Sequence, residues 1–279
     1  MKRLFLSSFA LALFFLVGLA PFEMASAQVK AGVSSGPTKT NVAVDVNRII
    51  STVAAKETEF HQALNNYVFK RDALIQTLGF GGQITGEYHR ISEFTFDDRG
   101  QRFEKINFFP PSSLKDVEFT EEDLEDLGGI EPYALETSKI NQYKFTYLGK
   151  EHIDELDLYV FDVAPKVMPK KMSERFFQGR IWVDDRDLQI VKVKGKGVPE
   201  GKQRFPTFDT YREQIDGRYW FPTYTSADEE LEFPNGQTVH IRMVVRYTDY
   251  RRFRSDVKII EEGEAPEPAP EPSPAKPKP

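Results

Sequence analysis

Apolar and polar residues alternate with two different periods along this chain, and the change of period separates a helix from a sheet. Between Asp45 and Asn65 the apolar residues recur at three- and four-residue spacing, which predicts an amphipathic helix. Asp45 is a suitable N-cap, because its side chain can accept a hydrogen bond from the first turn. From Tyr67 onward the period changes to two, which predicts β-strands that each carry one apolar face.

The period-two pattern predicts about ten or eleven strands joined as hairpins. Turn sequences such as Asp97-Asp98-Arg99-Gly100 and Asp216-Gly217 separate them, and these residue types tolerate the positive φ angles of tight turns. Strands that follow one another through tight turns pair antiparallel. The predicted strands cover residues 67–78, 87–96, 102–109, 142–149, 156–163, 176–183, 188–194, 208–215, 218–225, 229–233 and 237–254.

A sheet of this length has to curl or be covered, because an exposed apolar face and free edges invite aggregation. Thr120-Glu121-Glu122-Asp123 resembles a capping box and begins a short helix that Gly128-Gly129 ends. We therefore predict a mainly β (α+β) fold. It is a curled, half-open antiparallel β-barrel of about ten or eleven strands, covered by the long first helix and a short lid helix.

The two ends of the chain show neither period. An apolar stretch after Lys2-Arg3 leads to Ala25-Ser26-Ala27, which predicts a secretory signal peptide and cleavage before Gln28. The alternative is an uncleaved membrane anchor. The protein is therefore expected in the periplasm or cell envelope. The predicted segments are the signal peptide (1–27), a flexible linker (28–43), the folded domain (44–258) and a disordered tail rich in Pro and Glu (259–279).

Composition and spacing argue against several chemistries. The chain has no cysteine, which excludes disulfides, thiolate metal sites and cysteine nucleophiles. Its formal net charge of -6 argues against a nucleic-acid partner, which requires a basic surface. Asp184-Asp185-Arg186-Asp187 lacks the glycine and the distal glutamate of a calcium loop. We predict no metal and no cofactor, since the histidines are not spaced as ligands; they are His61, His89, His152 and His240.

No catalytic set is recognisable either. The Gly-x-Ser-x-Gly match at Gly32 to Gly36 lies in the predicted linker and not at a strand-to-helix turn, and the segment from Gly195 to Lys202 is better read as a flexible strand connection than as a phosphate loop. Acidic residues are numerous, but a glycosidase needs two of them at a fixed separation within a cleft. We therefore predict that the protein is not an enzyme, with a hydrolase that uses unrecognised carboxylates as an alternative.

Large apolar side chains occupy alternate positions on several of the predicted strands. Such faces either pack a barrel core or line an apolar cavity that accepts lipid tails. On the second interpretation the ligand is a lipid or a lipoprotein acyl chain. The candidate lining residues are Phe145, Tyr147, Tyr159, Phe161, Trp182, Tyr224, Ile241, Met243, Val245 and Tyr247.

Arginines follow the opposite side of the last predicted strand. Arg242 and Arg246 alternate with its apolar residues, and Arg251, Arg252 and Arg254 come after them. This stripe predicts transient contact with an anionic membrane surface. The alternative is a row of solvated arginines that protects a sheet edge.

One hairpin resembles a known family. Phe176 to Asp184, which contains Ile-Trp-Val-Asp, is followed by Leu188-Gln189-Ile190-Val191-Lys192, and this pattern resembles one that recurs in the outer-membrane lipoprotein-sorting (periplasmic lipoprotein carrier) superfamily. The leader, the long first helix and the antiparallel meander are further matching features. The resemblance of the folded part covers residues 45–253. The resemblance implies an open β-barrel that holds acyl chains beneath helical lids.

These observations predict a non-catalytic periplasmic or secreted binding protein for a lipid, an acyl chain or a lipoprotein. A second class of protein is compatible with the same sequence. It is an envelope interaction or scaffold protein whose barrel is filled and whose tail binds partners.

Overall fold

The computed structural model describes residues 44–115, 117, 135–171, 174–201 and 204–253. The predicted signal peptide, the linker up to residue 43, the Thr120 helix and the tail lie outside these residues. Among the described helices, none combines the length and the apolar character that a membrane span requires.

The first helix is confirmed by the structure. Helix α1 extends over Val46–Leu64, and the side chain of Asp45 accepts a hydrogen bond of 3.0 Å from the backbone N–H of Arg48. The apolar residues that recur at helical spacing lie on one side of α1 and are buried. This side includes Ile49, Val53, Phe60 and Leu64.

Ten strands follow α1, and each pairs antiparallel with its neighbours. They are β1 (Tyr67–Leu78), β2 (Ile84–Phe96), β3 (Arg102–Phe108), β4 (Tyr143–Ile153), β5 (Leu156–Pro165), β6 (Phe176–Asp184), β7 (Ile190–Val198), β8 (Phe208–Gln214), β9 (Trp220–Glu232) and β10 (Thr238–Arg252).

The strands form one sheet in the order β3-β2-β1-β10-β9-β8-β7-β6-β5-β4. Neighbours in the chain are neighbours in the sheet except for β3 and β4. β1 pairs with β10, and β3 and β4 lie at the two opposite ends. The sheet is therefore open, and the predicted half-open, mainly β architecture is confirmed.

Two details of the predicted elements are wrong. Residues 218–225 and 229–233 belong to the single strand β9, because Ser226, Ala227 and Asp228 continue its pairing with β10. The polar residues Ser226 and Asp228 interrupt the apolar pattern of β9, but they do not interrupt its backbone pairing with β10. Likewise, the segment from Gly195 to Lys202 was predicted to be a connection, but its first four residues, Gly195 to Val198, lie inside β7.

The sheet has an inner face, against which α1 packs, and an opposite outer face. Alternate residues of each strand point to one face or the other. The main core cluster joins α1 to the inner face across the sheet, with Phe60, Ile75, Phe161, Ile181, Phe221 and Val245 among its buried members. A smaller cluster of Leu158, Val160, Trp182 and Val191 lies on the outer face.

Two glycines allow an aromatic ring to lie on the sheet itself. Gly179 of β6 and Gly195 of β7 face each other across the pair of strands. A Cβ atom on Gly195 would lie 2.4 Å from the ring of Phe177, so a larger residue would collide with it. The ring of Phe177 therefore fills the space that two side chains would otherwise occupy, and it is buried.

Candidate functional site

The structure divides the ten predicted lining residues between the two faces. Eight of them lie on the inner face, where they belong to the main core cluster or pack against it; these are Phe145, Tyr147, Tyr159, Phe161, Ile241, Met243, Val245 and Tyr247. The other two, Trp182 and Tyr224, do not join them.

Trp182 and Tyr224 lie on the outer face. Trp182 pairs with Lys192 in the register of β6 and β7 and packs in the small outer cluster, where its indole N–H donates a hydrogen bond of 2.7 Å to Glu151. Tyr224 pairs with Tyr211 and with Arg246. Successive side chains of a pleated strand point to opposite faces, so Trp182 and Tyr224, which adjoin inner-face residues in the chain, point outward. Neither residue lies on the same face as the other eight.

Five of the eight inner-face residues are fully packed. Val245 has no accessible surface, and Phe161, Ile241, Tyr247 and Met243 have 1%, 2%, 3% and 5%. A side chain that borders a space wide enough for an acyl chain would show accessible surface along it. These five therefore pack the core and do not line such a space.

The remaining three inner-face residues are only half-buried. Phe145 and Tyr147 lie on β4 and Tyr159 lies on β5, at the end of the sheet. The ring of Tyr147 lies 5.3 Å from that of Phe161 and 6.2 Å from that of Tyr159, so the three residues continue the core outward. We call Phe145, Tyr147 and Tyr159 the inner-face patch.

A lysine lies beside the inner-face patch. The register of β4 shifts between Tyr147 and Gly149, and Gly149 has a φ angle of +126°, so the bulge changes which residues of β4 face inward. Lys150 then pairs with Tyr159, and its ammonium lies 4.7 Å from the centre of that ring. The same ammonium forms an ion pair of 2.6 Å with Asp185.

A buried ion pair fastens α1 to the centre of the sheet. Arg212 of β8 donates two hydrogen bonds, of 2.7 and 3.0 Å, to the carboxylate of Glu57. The guanidinium also lies 4.8 Å from the centre of the Phe60 ring. Both charged groups are buried, and the sequence analysis missed the pair because its members are 155 residues apart. The signal available in the sequence was Glu57, a single glutamate on the apolar side of α1 that requires a buried partner.

Two tyrosines beneath α1 have strongly raised pKa values. Burial and a hydrogen bond to Asp216 raise the pKa of Tyr67 to about 12. Burial alone raises the pKa of Tyr247 to about 12, against the opposing effect of Arg71. Both hydroxyls therefore stay protonated at neutral pH. They act as polar groups of the core and supply no base.

The acidic turn between β6 and β7 is built from its own hydrogen bonds. Asp187 accepts hydrogen bonds from the backbone N–H of Gln189 at 2.9 Å and from the indole of Trp220 at 2.9 Å. Burial and the nearby Asp187 raise the pKa of Asp184. Because Asp187 is held by groups of the turn and of β9, these hydrogen bonds explain the Asp187 carboxylate without a substrate.

The four histidines and two of the predicted arginines have carboxylate partners. His61 contacts Glu136 at 2.6 Å, and no group of three His, Asp or Glu residues within the described ranges could hold a metal. Arg242 forms an ion pair of 2.9 Å with Asp228. Arg251 lies 3.8 Å from Glu93, and Arg254 lies outside the described residues. A membrane-binding role of this stripe stays a prediction.

The sequence analysis also missed a groove on the outer face. It has a volume of about 860 Å³ and lies over β4 to β7. Its charged residues are Lys144, Asp162, Arg180, Lys192, Lys194 and Lys196. We call it the outer-face groove. The alternation of lysines on β7 is visible in the sequence, but the residues of β4 and β6 join them only through the register of the sheet.

Comparison with known proteins gives a structural likeness only. No protein-family model and no curated protein matches the chain. A LolA superfamily protein from Nitrosomonas europaea is similar over 76% of this chain and 95% of its own, with 14% identity and a TM-score of 0.33. A putative outer membrane lipoprotein-sorting protein domain from Vibrio parahaemolyticus covers the same shares, with 12% identity and a TM-score of 0.33.

A third similar structure is MucB, at 8% identity and a TM-score of 0.27 over 74% of this chain and 94% of its own. The superfamily predicted from the β6–β7 hairpin is thus the one to which the first two similar structures belong. At these identities and TM-scores the likeness carries no argument about function. The function has to be argued from the contacts of this chain.

Proposed function

We propose that the protein is a non-catalytic binding protein of the cell envelope that holds the acyl part of an amphiphile on the inner-face patch. The observation that supports this proposal is the incomplete cover of Phe145, Tyr147 and Tyr159. These aromatic rings continue a fully packed core, yet no described element covers them. An apolar ligand would complete the burial that α1 completes elsewhere.

The width of the sheet explains why α1 leaves this region open. Ten strands at a spacing of about 4.8 Å extend over roughly 43 Å, whereas a helix is about 10 to 12 Å wide. α1 contacts β8 and β9 through Arg212 and Phe221, and it contacts the segment that precedes β4 through Glu136 and Thr137. β4 and β5 lie at the far end of the sheet order.

The chemistry of the patch favours an amphiphile over a polar ligand. Each buried methylene of a bound chain contributes about 0.8 kcal/mol, so an acyl chain needs no catalytic or charged group in order to bind. Flat aromatic rings accept chains of different length and bend. The charge of Lys150 at the border of the patch is already paired with Asp185, so the patch itself presents aromatic surface.

A second candidate function is supported by the five packed residues. Because Phe161, Ile241, Met243, Val245 and Tyr247 leave no free space beside them, the centre of the fold acts as a solid scaffold. On this alternative the sheet carries partner-binding surfaces and binds no amphiphile. The two candidates differ only in what happens at the inner-face patch.

The deciding experiment measures the binding of a fluorescent fatty acid to the full chain and to two matched variants. Tyr147→Asp places a charge on the inner-face patch. Tyr211→Asp places the same charge on the outer face, where Tyr211 is 43% exposed. We expect Tyr147→Asp to weaken binding about tenfold, which corresponds to the contacts of about two methylenes, and Tyr211→Asp to have no effect.

Thermal unfolding of both variants shows whether each one is folded. Equal binding by the wild type and Tyr147→Asp, or an equal loss in both variants, would contradict binding at the patch. Complete absence of fatty-acid binding to the wild type would support the scaffold instead.

A further inference from the structure

The outer-face groove is a second concave surface, separated from the inner-face patch by the thickness of the sheet. Its volume of about 860 Å³ lies in the range that bound ligands occupy. Residues of four adjacent strands line it, so the regular sheet fixes the positions of its side chains. The groove is therefore part of the rigid fold.

The groove carries an excess of positive charge. Five cationic side chains line it, against the single carboxylate of Asp162. Two further carboxylates contact its lysines, Asp209 at 3.0 Å from Lys194 and Glu200 at 2.6 Å from Lys196. Glu151, which accepts a hydrogen bond from Trp182 and together with Asp162 raises the pKa of Arg180, is a fourth carboxylate, and after all four are counted one positive charge remains. The groove thus attracts an anion.

Aromatic rings hold one of the cations in place. The ammonium of Lys192 lies 4.8 Å from the centre of the Trp182 ring and 4.7 Å from that of Tyr211. Such cation–π contacts restrict a long side chain that would otherwise move freely in solvent. The ordering of Lys192 lowers the entropy that a ligand has to remove on binding.

The positive surface is narrow. An adjacent cleft of about 530 Å³ is lined by the carboxylates of Asp209, Asp228 and Glu229. Hydrogen bonds from His240 and Arg242 lower the pKa of Asp228, so it stays negatively charged. A flat anionic membrane would meet these carboxylates together with the lysines. A narrow ligand in the groove would avoid Asp228 and Glu229, so the charge pattern favours a narrow ligand.

The spacing of the cations matches an extended polypeptide. Lys192, Lys194 and Lys196 occupy alternate positions of β7, so their charges repeat about every 6.6 Å. Every second side chain of an extended peptide repeats at the same distance. The groove also contains the uncharged polar residues Thr146 and Gln178, whose side chains can bond to peptide groups.

We propose that the outer-face groove binds an acidic segment of a partner protein in an extended conformation. Carboxylates at alternate positions of the segment pair with the lysines of β7, and Lys144 on β4 contacts its far side. This site is independent of the inner-face patch, so both can be occupied at once.

The test is the fluorescence anisotropy of a labelled peptide of alternating Glu and Ala residues, titrated with the full chain at low salt. The same peptide with Gln in place of Glu controls for charge. The variant Lys144→Glu/Lys196→Gln changes the groove. Lys105→Glu is the matched control, because Lys105 is an exposed lysine on the distant strand β3. Thermal melting confirms that each variant is folded.

We expect the Glu peptide to bind, the Gln peptide to bind at least about tenfold more weakly, and added salt to weaken binding. The groove variant should lose about tenfold in affinity, while Lys105→Glu should change it less than about twofold. Equal binding of both peptides, or no loss in the folded groove variant, would overturn the proposal. Binding only to vesicles that contain phosphatidylglycerol, and not to the peptide, would overturn it too.

Discussion

The centre and the end of the inner face carry the same kinds of side chain but use them differently. At the centre, Phe221 contacts both Phe60 of α1 and Tyr67 of β1, and the ring centres of Tyr67 and Phe221 are 4.7 Å apart. At the end, Phe145 and Tyr147 are half-buried. An alternating aromatic face therefore does not by itself define a cavity. The cover above it decides between core and binding surface.

The largest effect is expected from removing a ring at the centre. Phe221→Ala should lower the free energy of unfolding by about 3 to 5 kcal/mol, because Phe221 is fully buried and contacts four other aromatic rings. Tyr147→Ala at the end should lower it by about 1 kcal/mol or less. Urea unfolding of both variants measures the contrast, and similar losses would show that the two regions are packed alike.

Breaking the ion pair that fastens α1 should come next. Arg212→Leu leaves Glu57 buried without its partner, so the free energy of unfolding should fall by about 3 kcal/mol. Replacing both residues by methionine removes the unpaired charge, and this variant should be closer to the wild type. A double variant that is as unstable as Arg212→Leu would show that lost packing, and not the buried charge, causes the effect.

A smaller loss of stability is expected where the Phe177 ring lies over Gly179 and Gly195, between the centre and the end of the inner face. Gly195→Ala should destabilise the fold by about 1 to 3 kcal/mol, because the new Cβ would lie 2.4 Å from the Phe177 ring. The same substitution should have less effect in a Phe177→Leu background, since the two sites are in contact. Chemical unfolding of the four variants of this cycle measures the coupling, and strict additivity would contradict the contact.

The smallest effect concerns alkaline pH. The pKa of Tyr67 is raised to about 12 in the folded state, so between pH 10 and 12 the unfolded chain loses this proton while the folded chain keeps it. The contribution of Tyr67 to stability is present below pH 10 and is lost as the pH rises through 12. Ultraviolet titration of the wild type and Tyr67→Phe should differ by one late-titrating phenol. A difference that appears near pH 10 would contradict the burial.

Most of the fold could be predicted from the sequence, because local periods and turn residues specify it. The bounds of β1 and of α1 follow directly from the changes of period and from Asp45. The division of β9 was wrong because Ser226 and Asp228 interrupt its apolar pattern, although both residues pair with β10. Backbone pairing does not depend on side-chain polarity, so this error could not be seen in the composition of the segment.

The candidate site could be predicted only in part. Alternation shows that Trp182 and Phe161 lie on apolar faces, but which face is covered depends on the register between strands. The outer-face groove also depends on the register, because its cations come from three different strands, β4, β6 and β7. Gly195 was wrongly predicted to lie in a connection, because the local sequence does not distinguish a glycine inside a strand from a glycine in a loop. Close approach of Phe177 is the reason for glycine there.

The most direct test of the proposed function is photo-crosslinking of the full chain with a fatty acid that carries a diazirine on its acyl chain, followed by peptide mapping. Binding at the inner-face patch predicts adducts on peptides from β4 and β5, around Phe145, Tyr147 and Tyr159. Competition by unlabelled fatty acid should remove these adducts. Adducts that map instead to the outer face of β6 and β7, or no adducts that unlabelled fatty acid displaces, would contradict it.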